Sequence, residues 1–166
     1  MSNESRLSAM DLSPLPITHE ATIPADYLDN MGHMNVMWYT HLFDTAVYTL
    51  FKIIGLDLDY MKANNAGGFA LETHVRYLSE VHVDHLVTVR TRLLGRSRKR
   101  FHLMNFMTNA TKGDLAATFE VLGAHIDMSI RRMAAFPPEI AERLDELLAE
   151  HQSLEWEAPV SGVMKP

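Results

Sequence analysis

The sequence predicts an α+β domain in which a long antiparallel sheet wraps around one central helix. Three features of the chain predict it: a single long stripe of apolar residues at helical spacing, a following stretch with the alternation and turn residues of strands, and a short strand ahead of both. The 166 residues, 47% of them hydrophobic, suffice for one domain with a substantial core and are too few for two.

The polar opening, closed by Pro14-Leu15-Pro16, reads as a flexible leader over residues 1–16. The domain then spans 17–150 and a proline-containing tail 151–166. Ile17 to Ile23 forms the first strand, and Pro24 ends it before a loop carrying Asp26, Asp29, Gly32 and Asn35. From Met37 to Ile54, apolar residues recur at three- and four-residue steps, as a helix with a buried face requires. Asn35 is placed to cap its start and Gly55 to follow its end. After Gly55 the next seventy residues or so read as strands joined by turns. Phe69 to Leu78 sets Leu71, Thr73, Val75 and Tyr77 on one face, with Glu72, His74 and Arg76 on the other. His85 to Leu94 and Lys99 to Met107 are joined as a hairpin by Gly95-Arg96-Ser97-Arg98, and Leu115 to Ile130 is long enough to hold a bulge at Gly123. Pro137-Pro138 opens a short amphipathic helix carrying Ile140, Leu144, Leu147 and Leu148.

Composition narrows the function. A net charge of −6 and a pI near 5.8 lack the concentrated positive field that nucleic acid demands, so no nucleic-acid partner is expected. Without cysteine there is no disulfide framework, thiolate nucleophile or cysteine zinc site. The first sixteen residues hold no apolar run, which points to a soluble, cytoplasmic protein with no membrane partner. Nine histidines raise the question of a metal, but His82 and His85, three apart on a strand, would face opposite ways and have no evident third ligand. No metal is expected.

Asp29-Asn30-Met31-Gly32-His33-Met34-Asn35, followed by Tyr39 and the apolar helix, resembles the signature of hotdog-fold acyl-CoA thioesterases of the 4-hydroxybenzoyl-CoA thioesterase type. In that family an aspartate stands three residues before a glycine on the loop entering the central helix, and an aromatic often follows the aspartate by ten. Asp29, Gly32 and Tyr39 match those positions, and the resemblance extends over about Ile17 to Phe136. The stretch from Leu71 through His125-Ile126-Asp127 looks most like the betainyl-CoA thioesterase branch. Two departures stand out: Val36 where many relatives carry a polar or aromatic residue, and Val121-Leu122-Gly123-Ala124 where bulkier apolar residues are expected.

The resemblance implies hydrolysis of a short or medium acyl-CoA, with betainyl-CoA a candidate, to the free acid and coenzyme A. It makes Asp29 the base or nucleophile and gives the carbonyl to backbone amides near Val36 and Met37, where a helix start offers unpaired donors and partial positive charge. His33 and Asn35 are secondary catalytic candidates, and Trp38, Tyr39, Glu72 and His74 are candidates for substrate binding. Trp38, Tyr39 and Tyr77 could also offer ring faces to a quaternary ammonium. Arg96, Arg98, Lys99 and Arg100 form the basic cluster that coenzyme A phosphates would require. No cofactor is implied beyond the coenzyme A thioester itself, and the family assembles as homodimers or homotetramers. Two other uses of the fold stay open, a non-catalytic acyl-CoA-binding protein and an acyl-thioester hydratase or dehydratase, although the HFPGxP and asparagine-proline-histidine motifs of dehydratases are absent.

Overall fold

The computed structural model describes residues 10–166. Its strands are β1 (Ile17–Thr22), β2 (Ala66–Tyr77), β3 (Leu86–Arg96), β4 (Arg100–Asn109), β5 (Asp114–Asp127) and β6 (Arg132–Met133), and its helices are α1 (Val36–Ile54), α2 (Leu58–Asn64) and α3 (Pro138–Gln152). They form one sheet in the order β1-β3-β4-β5-β2, with β6 also paired to β5. β1 runs antiparallel to β3, Thr22 opposite Leu86 and Ile17 opposite Arg90. The expected α+β organisation of one long helix and a long-stranded sheet is present.

Contacts divide the chain into two compact units. One comprises the described residues up to Thr49 with Val75–Thr91 and Asn105–Phe119; the other comprises Leu50–His74, Arg92–Met104 and Glu120–Pro166. Within the first, Phe43 of α1 stacks on Phe119 of β5 with ring centroids 5.0 Å apart, and both rings are buried. Within the second, Phe51 of α1 meets Phe101 of β4 edge-on at 5.5 Å. The helix therefore lays an aromatic stripe on strand side chains in each unit, as its apolar periodicity requires. Its end is a Schellman turn: Gly55, at φ +79°, donates to Lys52 O, and Leu56 donates to Phe51 O.

Several boundaries differ from the sequence reading. Helix α2 interrupts the expected run of strands, capped at Asp57, whose carboxylate accepts from the Tyr60 amide, and closed by Asn65 in the left-handed region at φ 46°. Seven residues, none of them buried, leave no helical stripe in the sequence. β2 consequently begins at Ala66 and not Phe69, and its alternation does not bury a face: Phe69, Leu71 and Tyr77 are all exposed. β5 stops at Asp127, three residues short of Ile130, and turns into β6. Gly123 answers to a close approach and needs no bulge to explain it, since a Cβ there would lie 2.1 Å from the Phe101 ring. This accounts for the small residue where a bulkier one was expected.

The segments flanking the domain also pack. Residues 1–9 of the expected leader lie outside the described residues, but Leu15 is buried and Arg90 donates to the carbonyls of Ser13 and Leu15. In the tail, Met164 is buried, the Ser161 amide donates to the buried Glu120 carboxylate at 2.7 Å, and the Arg92 guanidinium lies 4.3 Å over the Trp156 ring.

In the same unit His151 Nδ1 accepts the Leu93 amide at 2.8 Å. Burial, reinforced by the Arg92 cation, pushes its imidazole down from 6.5 to about 4. The unfolded chain takes up a proton near 6.5 while the folded chain resists until about 4. This contribution to stability is therefore complete above the upper value and is lost as pH falls through the window, at up to about 1.4 kcal/mol per pH unit. Urea unfolding across that window is expected to show the loss, and His151→Asn, which keeps an acceptor for the Leu93 amide, is expected to remove that part of the slope.

Candidate active site

The loop between β1 and α1 is a closed turn. Asp29 donates its amide to His33 O at 3.0 Å, Gly32 donates to Asp29 O at 3.1 Å, and Leu28 bridges Met34. Gly32 adopts φ +82°, a conformation that suits glycine. Further bonds fasten the turn to its surroundings: Met34 N–H to Val81 O at 2.7 Å, Asn35 N–H to Tyr27 O at 2.9 Å, and His82 Nδ1 to Gly32 O at 3.1 Å.

Asp29 is half-buried in this turn. Its Oδ1 accepts the Met31 amide at 2.8 Å, and its Oδ2 faces His33 Nδ1 at 3.6 Å. One carboxylate oxygen is thus anchored by a backbone amide, and the other faces the His33 ring. Asn35 caps α1: its Oδ1 accepts the Met37 amide at 3.0 Å and its carbonyl accepts from Trp38. This separates the two amides expected to bind the carbonyl. The Met37 amide is held by the cap, whereas the Val36 amide has no acceptor among the described residues. Asn35 therefore has a structural task, and Val36 supplies the open donor of a helix amino terminus.

Beside that terminus lies a cavity of ≈ 270 Å³, lined by His33, Met34, Val36, Tyr39, Tyr77, Leu78, Ser79 and Glu80. Tyr39 is buried and meets Tyr77 edge-on at 5.1 Å, while its hydroxyl donates to Ser79 O at 3.4 Å. Burial, more than any other cause, pushes the Tyr39 phenol up to about 12, so it serves as a neutral hydrogen-bond donor. Ser79 and Glu80 were missed in the sequence, where no motif marks them.

The remaining candidates separate. Trp38 stacks on Tyr27 at 3.7 Å and does not line the cavity. Glu72 and His74 do not line it either, and they do not pair. His74 Nδ1 faces Glu120 at 3.9 Å, and Glu120 also accepts from His102 at 2.8 Å. Alternation put Glu72 and His74 on one face, but the buried carboxylate of the neighbouring strand is the histidine's partner. Of the basic cluster, Arg96 is committed to Asp145, which raises the arginine and lowers the aspartate, and Lys99 donates to Met133 O at 3.0 Å. Arg98 and Arg100 make no side-chain hydrogen bond or ion pair among the described residues. His82 and His85 lie in a turn and not along a strand, and their rings touch at 5.4 Å. No group of three metal-ligating side chains occurs among the described residues, and no described helix is long and apolar enough to cross a membrane.

A capped helix start with an open amide, an aspartate on its entry loop and a long-stranded sheet against the helix define the hotdog fold of the thioesterase class. The chain belongs to the thioesterase-like superfamily, whose family model matches residues 23–144. It is 37% identical over 134 residues to an L-carnitine dehydrogenase/betainyl-CoA thioesterase of Agrobacterium fabrum, covering 81% of this chain but only 27% of that protein. It is 32% identical over 143 residues to a betainyl-CoA thioesterase of Pseudomonas aeruginosa, covering 86% of this chain and 90% of that one. Among solved structures, a Staphylococcus aureus protein in complex with CoA superposes with a TM-score of 0.82 at 25% identity, covering 92% of this chain and 96% of its own.

Removing the cap isolates its contribution. Asn35→Ala is expected to cost about 1 kcal/mol in chemical denaturation, and Asn35→Asp, which keeps an acceptor for the Met37 amide, is expected to retain most of it.

Proposed function

We propose that the chain is an acyl-CoA thioesterase acting on a short acyl group, with betainyl-CoA as the candidate substrate. The observation that carries the reading is the open Val36 amide at the wall of a cavity beside the Asp29 loop. A thioester carbonyl seated on that amide has its oxygen at the positive end of α1, where charge developing on it is stabilised without a cationic side chain. Asp29 then supplies the other half of the chemistry, either by taking a proton from an attacking water or by attacking the carbonyl carbon itself. Both routes expel the coenzyme A thiolate and end in the free acid. His33, beside Asp29 Oδ2, orients the carboxylate or the water. Arg98 and Arg100 are the members of the basic cluster left for the coenzyme A phosphates, and the reaction as written uses no cofactor.

The named activity of the two relatives and the coenzyme A bound to the structural neighbour support this reading. The test is free-thiol release across betainyl-CoA and short, branched, aromatic and long-chain acyl-CoAs. Asp29→Asn is nearly isosteric and is expected to lower kcat/KM by at least about a hundredfold in a folded protein. Near-normal turnover by the folded variant would exclude Asp29 from the chemistry.

The proposal extends to assembly as a homodimer or homotetramer. β2 is an edge strand of twelve residues with Phe69, Leu71 and Tyr77 exposed, and a strand of that length and character calls for cover. Light scattering at micromolar concentration is expected to give an even multiple of 18.8 kDa, and a monomer mass would contradict it.

A further inference from the structure

We infer that Glu80, with the corner formed by the Tyr39 and Tyr77 rings, selects a quaternary ammonium group on the acyl chain. The inference rests on the thioesterase reading above and adds to it the residues that choose the substrate. The difficulty it resolves is electrostatic. In a betainyl thioester the ammonium nitrogen lies two bonds from the carbonyl carbon, so placing the carbonyl on the Val36 amide forces a cation toward the positive end of α1. That arrangement is repulsive unless an anion and polarisable surfaces stand close by.

The cavity supplies both. Tyr39 and Tyr77 both line it and meet edge-to-face at 5.1 Å with their planes 79° apart, Tyr39 buried and Tyr77 exposed. Tyr77 is 48% exposed, so a ring surface remains for a ligand. A trimethylammonium donates no hydrogen bond and is recognised through ring faces and an unshared negative charge. Glu80 is the only carboxylate among the lining residues. Among the described residues the ion-pair partner of its carboxylate, whose side chain is 66% exposed, is His82 Nε2 at 3.6 Å, and His82 spends its other ring nitrogen on Gly32 O. The nearby Lys112 is matched by Asp114 at 3.6 Å and donates to Ser79 Oγ, so it does not cancel Glu80. Trp38, the other aromatic at the helix start, is occupied by Tyr27 and takes no part.

The experiment compares betainyl-CoA with 3,3-dimethylbutyryl-CoA, which replaces the ammonium nitrogen with carbon at nearly constant shape. The wild-type protein is expected to give the higher kcat/KM with betainyl-CoA. In Glu80→Gln the ratio of the two values is expected to fall at least about tenfold, because the variant keeps the side chain's size and removes its charge. Tyr77→Leu is expected to lower the same ratio, while Tyr77→Phe, which keeps the ring, preserves it. A wild-type ratio at or below one, or a Glu80→Gln ratio within about twofold of wild type, overturns the inference and leaves thioesterase activity standing. Absence of thiol release from every acyl-CoA overturns both.

Discussion

The hydrogen bond from the Met37 amide to Asn35 Oδ1 sets the character of the site. A helix start presents several unpaired donors, and whichever remains open decides where an anion or a polarised carbonyl can sit. By taking Met37, the cap leaves the donor at Val36, on the cavity wall. The backbone of Asn35 is itself fixed by Tyr27 O, and Met34 before it by Val81 O. The donor's direction is therefore set by a turn fastened on both sides, so it is in place before any ligand arrives.

The same turn orients the Asp29 carboxylate. Asp29 donates and accepts through its backbone to His33 and Gly32, so its carboxylate is aimed by the closed loop and not by a rotamer preference alone. Gly32 makes that closure possible at φ +82°. Aspartate, glycine and asparagine at this spacing thus act as one device: a turn former, a left-handed residue and a cap that together hold a carboxylate in the loop entering the helix.

A second polar centre holds the other unit. Glu120 is almost wholly buried, accepting from His102 and from the Ser161 amide, with His74 at longer range. Arg92 binds the carbonyls of His151 and Trp156. Buried charges need partners, and here several come from the tail, which is why residues that read as loose after Gln152 lie against the sheet.

The sequence by itself determined the helix, its cap and its end, the hairpin around Arg96 and Ser97 and the loop that holds Asp29. Each of these is local: a stripe at helical spacing, an asparagine before it, a glycine after it, turn residues between alternating runs. The sequence could not show α2, which is too short to develop a stripe, nor that β2 would stay exposed, because alternation looks the same on a covered and an uncovered strand. Tertiary structure alone decided which candidates meet. It brought Tyr39, Tyr77 and Glu80 to one cavity, gave His74 to Glu120 and not Glu72, tied Arg96 to Asp145, and turned Trp38 onto Tyr27. Those pairings join residues as much as 49 positions apart, and no local pattern records a contact made only when strands align.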